Sequence, residues 1–232
     1  MVRMVFQVVL VILINQVSFA QENLSVIDSY LDKLRRDKGL VSPSQLEYKD
    51  IQGSPYLIDE FRPGSLHMKS GNTLPGEFRY DVYADRIEFR KDDQVYHIAI
   101  PDSILKLYIR EATIVYLPYS EKTDIKKGYF LALYEGYYSV YEKRTKQFQK
   151  AQAPQPYQDA PIPAMFQDAA PAIYMKVGDN PALRVSNTND IVSKCGTEAG
   201  AAQDFIKRNK TRFRDISDIT ELFRYINGSI SR

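Results

Sequence analysis

Between Gly76 and Leu117 apolar side chains recur at every second position, in short runs separated by turn residues. Phe78, Tyr80 and Val82 alternate with Glu77, Arg79 and Asp81, and Ile87 and Phe89 alternate with Arg86, Glu88 and Arg90. Tyr96, Ile98 and Ile100 follow, and then Leu105, Leu107 and Ile109 alternate with Lys106, Tyr108 and Arg110. Successive side chains of a strand point to opposite faces, so each run reads as a strand with one buried face. The breaks at Ala84-Asp85, Lys91-Asp92-Asp93 and Pro101-Asp102-Ser103 fall at roughly ten-residue spacing, as in an antiparallel meander. The charged alternates are expected to form a solvated face, where opposite charges on neighbouring strands contribute about a few tenths of a kcal/mol per pair.

The same pattern extends in both directions. Ser65 to Lys69 reads as a short strand ending at the turn Ser70-Gly71-Asn72, whose residues tolerate positive φ. Tyr129 to Tyr134 and Tyr137 to Tyr141 flank Glu135-Gly136, and Gln147 to Ala151 follows the turn Lys143-Arg144-Thr145-Lys146. This gives eight or nine strand candidates between residues 55 and 151. The aromatic content, 17 Tyr and 11 Phe with no Trp, suits pleated, half-buried surfaces and supports a β-rich fold before it supports a ligand site.

Beyond residue 152 the composition changes. Pro154, Pro156, Pro161, Pro163 and Pro171 remove ladder donors and fix φ, so 153–171 is expected to be an extended connection or an edge. Ala172 to Val177 and Ala182 to Val185 read as a hairpin around Gly178-Asp179-Asn180-Pro181. Thr188-Asn189-Asp190 is expected to cap a short helix through Lys194, and Thr197 a second one carrying Ala202, Phe205 and Ile206 inward. Phe213 is expected to add a short strand. Ile216, Ile219, Leu222, Phe223 and Ile226 define a last amphipathic helix, closed by Asn227-Gly228. The expected fold is α+β and mainly β: an antiparallel meander sheet, able to curl into a partial barrel, with a small α/β C-terminal part. The expected divisions are 1–20, 21–50, 51–152, 153–171 and 172–232.

The first 20 residues are of another kind. A positive start at Arg3, an apolar run from Val5 to Val17 and the small residues Ser18 and Ala20 before Gln21 make up a secretory signal peptide. The run is shorter than the ~20 residues of a spanning helix, so cleavage is expected rather than anchoring. Residues 25–38 carry Val26, Ile27, Tyr30, Leu31 and Leu34 at helical spacing, a face that either packs on the body or docks a partner. Lys and Arg number 31 against 29 Asp and Glu, so no net field points to nucleic acid.

Several stretches resemble a group of uncharacterised exported β-rich proteins of Bacteroidetes-type bacteria. The residues that carry the likeness are Gly53-Ser54-Pro55-Tyr56-Leu57 with Phe61 and Gly64, Arg79 to Tyr83 leading to Ile87-Glu88-Phe89, Phe205 to Lys210, and Leu222 to Asn227. Those proteins share a signal peptide, a tyrosine-rich meander and a helical C-terminus. The resemblance covers most of the chain after residue 50. It implies an address, the periplasm or the inner face of an outer membrane, and an architecture, but no catalytic residues; the export signal itself is equally consistent with secretion.

The inventory of chemical groups is spare. Two histidines, His67 and His97, and one cysteine, Cys195, lack the spacing of a zinc motif, and no metal or cofactor is expected. Cys195 is expected to be a small buried apolar group. A nucleophilic pair of Cys195 with His67 or His97 is the sharper alternative, although neither a nucleophile-elbow sequence nor an oxyanion-hole signature accompanies it. Tyr129, Tyr134, Tyr137, Tyr138 and Tyr141 are the binding candidates, since rings on a sheet face stack on flat ligands, but their alternation divides them between two faces. The function expected is that of an exported, non-enzymatic binding or assembly module of the cell envelope. An envelope hydrolase using carboxylates or the Cys/His pair is the alternative. The expected partner is another envelope protein, met by sheet-edge or helix docking, at the margins of the meander or its junction with the C-terminal helices. No transmembrane span is expected after signal cleavage.

Overall fold

The computed structural model describes Tyr48 and residues 51–110, 112–152 and 162–230. The expected signal peptide and the amphipathic segment at 25–38 lie outside the described residues. Within them, nine strands precede the proline-rich connection: β1 (Arg62–Met68), β2 (Thr73–Asp81), β3 (Arg86–Lys91), β4 (Gln94–His97), β5 (Ile104–Ile109), β6 (Ala112–Glu121), β7 (Asp124–Tyr134), β8 (Tyr138–Lys143) and β9 (Lys146–Gln149). After it come β10 (Met165–Asp168), β11 (Ala172–Val177), β12 (Ala182–Val185) and three helices, α1 (Thr188–Lys194), α2 (Ala199–Asn209) and α3 (Ile216–Ser229). The fold is α+β, mainly β, as the alternation predicts.

Ten strands share one sheet in the order β12-β11-β8-β7-β6-β5-β1-β2-β3-β4, and β9 pairs with β10 in a separate ribbon. Parallel pairing of β12 with β6, Ala182 opposite Tyr119 and Leu183 opposite Ser120, closes β6, β7, β8, β11 and β12 into a five-stranded barrel. The hairpin at 172–185 thus completes the sheet begun by the meander. Several turns are tight and lack glycine. Asp92 and Asp93, between β3 and β4, both take left-handed φ (50° and 58°), the geometry of a two-residue hairpin loop, which Asp tolerates better than most residues.

Three cores result, and strand alternation divides the side chains among them. Leu66, Phe78, Tyr80, Ile87, Ile104, Leu107 and Tyr129 form the first, inside the curl of β1 to β5. The barrel interior is largely aromatic: Tyr119, Phe130, Tyr141 and Tyr174, with Val115, Leu117 and Ala182. Its rings meet near edge-to-face, Tyr119 and Phe130 at 5.3 Å and Phe130 and Tyr174 at 5.1 Å between centroids, the arrangement that opposed ring quadrupoles favour. In the third core Ile191, Cys195, Ile219, Leu222, Phe223 and Ile226 of the helical part cover Tyr138, Val140, Ile173 and Met175. All six residues of β8 are buried, because the barrel interior lies on one face and the helices on the other.

Three expectations are corrected. Phe213 lies in a turn, not a strand. Helix α3 runs through Asn227-Gly228 to Ser229, because the Asn227 side chain is engaged elsewhere: it accepts from the Tyr138 N–H (3.0 Å) and donates to the Tyr138 and Phe223 carbonyls (2.8 and 2.7 Å). The charged side of β2 and β3 is not simply solvated. Asp81 and Glu88 are fully buried. Arg79 and Arg86 each donate to Glu88 at 2.7 Å, and Asp81 accepts from Tyr48 Oη (3.0 Å) and the Ala84 N–H (2.9 Å). The segment before β1 folds back over this face: the Leu57 N–H bonds to the Tyr80 carbonyl, and the Tyr56 ring lies 3.5 Å from the Arg79 guanidinium carbon. Alternation identifies the side away from the core; it is silent on whether the chain returns across it. Glu77 and Arg90, further along the same face, are exposed and paired at 2.7 Å, as expected.

Candidate functional site

A cleft of about 650 Å³ opens where the barrel meets the C-terminal helices. One wall comes from the ends of β8, β11 and β12: Glu142, Arg144, Ala172, Ile173, Arg184, Val185 and Ser186. The other comes from the turn before α3, with Phe213, Arg214 and Ile216, and Ala170-Pro171 form the approach. The strands are in register here, Glu142 opposite Ile173 and Ile173 opposite Val185, so Glu142, Ala172, Ile173, Arg184 and Val185 are held by ladder hydrogen bonds, with Arg144 and Ser186 directly beyond the strand ends.

The facing turn is fixed with equal care. Lys210 ends α2 in the left-handed conformation, φ 51°. The Arg212 guanidinium bonds Asp215 (2.5 Å) and Asp218 (3.1 Å), and the Arg212 N–H donates to Asp218 at 2.8 Å. The Asp215 carboxylate also caps α3, accepting from the N–H groups of Ser217 and Asp218. Arg212 holds the Asp218 carboxyl below its ordinary range through these bonds. With Arg212 consumed in bracing the turn, Phe213 and Arg214 are presented to the cleft. On the sheet side, the end of β12 is tied down by the Ser186 N–H, which donates to Asp190 at 2.7 Å, while Asn187 caps α1.

The lining holds three arginines and one carboxylate. Glu142 is buried and contacts the Arg144 Nε. Arg184 and Arg214 have no ion pair or hydrogen bond among the described residues, and both are exposed at the cleft. Ile173, Val185, Phe213 and Pro171 supply apolar wall. A concave site of this size, mostly apolar with a few fixed polar groups, is the usual form of a small-ligand site. Its lining carries three positive side chains against one negative.

The tyrosine candidates do not converge. Tyr129 belongs to the first core, Tyr141 to the barrel interior and Tyr138 to the helical core, against which Tyr134 also packs. Tyr137 is exposed and meets Tyr138 edge-on at 5.0 Å. None of the five lines the cleft. Cys195 caps the C-terminus of α1 and is fully buried, its thiol donating to the Ile191 carbonyl at 3.2 Å, and burial pushes the thiol up to about 11. His67 lies on β1 against Tyr108 and His97 on β4, and β5, β6 and β7 separate β1 from β8, which carries the core around Cys195. Among the described residues, no three His, Cys, Asp or Glu side chains group to hold a metal ion, and no helix is long and apolar enough to cross a membrane.

The cleft arginines escape sequence reasoning because they carry no pattern. Arg144 sits in a turn, Arg184 within the short strand β12 and Arg214 between two helices, 40 and 30 residues apart. The one available signal is an expectation of place, the junction of the sheet with the C-terminal helices, and the cleft lies at that junction. Comparison with protein-family models, with curated proteins and with solved structures finds no match to this chain.

Proposed function

We propose that the protein is a non-enzymatic binding module of the cell envelope, and that it binds its ligand in the cleft between the barrel and the C-terminal helices. One observation carries this reading: the cleft is built from rigid elements on both sides, yet presents two arginines that nothing among the described residues neutralises. In the cleft, apolar wall and unspent charge coincide. The export signal read in the first 20 residues and the resemblance to exported β-rich proteins support an address in the periplasm, at the inner face of an outer membrane, or outside the cell. Another envelope protein is the proposed partner, and strand β4, which pairs on one side only among the described residues, is the edge available to it.

The test is a titration with Nile red, a neutral apolar dye, followed by fluorescence. Saturable binding that is lost in Ser186→Trp, a substitution that fills the cleft from an exposed lining position, supports the site. Folding of the variant is checked by its unfolding midpoint. Absence of saturable binding, or binding that Ser186→Trp leaves unchanged, overturns it.

A further inference from the structure

The ligand's chemical class is written in the cleft lining, given that the cleft is the binding site as proposed above. We infer that the cleft takes an amphipathic organic anion: an oxyanion head, carboxylate or phosphate monoester, held by Arg184 and Arg214, and an apolar body laid against Pro171, Phe213 and Ile216. Three features lead there. The first is the charge balance of the lining, three guanidinium groups against one carboxylate. Glu142 is already in contact with Arg144, so the uncompensated positive charge resides on Arg184 and Arg214.

The second is where those two arginines sit. Arg184 lies in β12 opposite Tyr174 of β11 on the barrel side, and Arg214 follows Phe213 in the braced turn on the helix side, so the two come to the cleft from different walls. An oxyanion between them meets donors from both, and the planar guanidinium fork matches the geometry of carboxylate and phosphate oxygens. The third is the apolar surface beside them. Pro171 and Ile216 are exposed and Phe213 is half-buried, whereas Ile173 and Val185 behind them are taken up by the helical core, so the body of the ligand is desolvated against the first three while its head is charged. A free inorganic anion uses only half of this lining, and a neutral hydrocarbon leaves the arginines without partners.

The experiment compares decanoate, decyl phosphate and decanol by titration calorimetry on the purified full chain, in the wild type, Arg184→Gln, Arg214→Gln and Arg224→Gln. Arg224 is exposed on α3 and does not line the cleft. Decanoate, decyl phosphate or both should bind at least about tenfold more tightly than decanol, because each head makes charge-assisted hydrogen bonds that an alcohol lacks. Which of the two binds more tightly assigns the head as carboxylate or phosphate. Arg184→Gln and Arg214→Gln should each weaken anion binding about tenfold while Arg224→Gln leaves it unchanged, and raised salt should weaken it in the wild type. Decanol binding as tightly as the anions, or anion binding unaffected by both cleft substitutions, overturns the ligand class. If Nile red still enters the cleft in that case, the binding site stands and the ligand class alone fails; if neither the dye nor any decyl compound binds, both fail.

Discussion

The ammonium of Lys143 lies 2.8 Å from the carboxylate of Asp85, 58 residues away, and so ties the β2–β3 turn to the barrel interior. Lys143 also donates to the Tyr129 carbonyl at 3.1 Å, and its charge lies 5.0 Å from the centroid of the Phe130 ring. Asp85, at a left-handed φ of 49°, accepts from Tyr80 Oη at 2.6 Å and from the Tyr129 N–H at 3.3 Å. Gly128 makes the meeting possible, since a Cβ there would stand 2.7 Å from both charged atoms. This pair joins two cores that the sheet order alone would leave side by side.

Removing one member should therefore cost more than removing both. Asp85→Ala leaves an ammonium among aromatic rings and is expected to destabilise the fold by about 3 kcal/mol, at the lower end for a broken buried pair because Asp85 is partly exposed. In Asp85→Ala/Lys143→Met the apolar replacement suits the barrel interior, and the loss should be smaller than in Asp85→Ala alone. Urea unfolding of the two variants checks this. A double variant less stable than the single one contradicts it.

A second long-range contact supports a prediction of coupling. Asn227 on α3 bonds both backbone groups of Tyr138, and a Cβ on Gly136 would lie 2.5 Å from its side-chain oxygen. Asn227→Ala is expected to cost about 1–3 kcal/mol, the range for leaving buried polar groups unsatisfied. Gly136→Ala should be more harmful in the wild type than in the Asn227→Ala background, where the clash is gone. Equal effects in the two backgrounds, measured by a double-mutant cycle, would rule out the packing relationship.

Much of the architecture is legible in the sequence because it follows from one local rule. Alternation at Phe78-Tyr80-Val82 and Ile87-Phe89 places the first core, and Ala172–Val177 with Ala182–Val185 are strands with the bounds that their flanking turns suggest. What local pattern does not encode is closure. Nothing near Ala182 states that it will pair with Tyr119, yet that contact makes the barrel and gives Tyr119, Phe130, Tyr141 and Tyr174 a common interior. The burial of Asp81 and Glu88 is hidden for the same reason, since it depends on a segment 20 or more residues upstream folding over β2 and β3. The cleft depends on both events of assembly, the barrel and the docking of α3, and its arginines acquire meaning only when those elements meet.

Cys195 should be unreactive in the native protein. The thiolate is the nucleophile, and burial holds the Cys195 thiol up to about 11 while its hydrogen is given to the Ile191 carbonyl. With an aromatic disulfide reagent at pH 8, labelling should proceed only as fast as the protein opens, and should become immediate in denaturing urea. Rapid stoichiometric labelling of the folded protein would show an accessible thiol and revive the Cys/His alternative.

The buried carboxylate Asp81 gives a pH dependence with a defined sign. Burial raises its pKa above the ordinary 3.8, opposed by the bond from the Ala84 N–H, by Arg86 and by Tyr48. A carboxyl whose pKa is higher in the folded than in the unfolded chain binds its proton more tightly when folded. Its contribution to stability is greatest below the unfolded value and declines as pH rises through the folded one. Asp81→Asn has no such titration and keeps one oxygen to accept from the Ala84 N–H, while its NH2 replaces the oxygen that accepts from Tyr48, a change that does not itself vary with pH. The stability of the wild type relative to Asp81→Asn should therefore fall as pH rises from about 4, and become constant once Asp81 is ionised in both states. Unfolding midpoints in urea between pH 3.5 and 7 measure the difference; a relative stability that rises over the window would mean that Arg86 and the hydrogen bonds outweigh burial at this site.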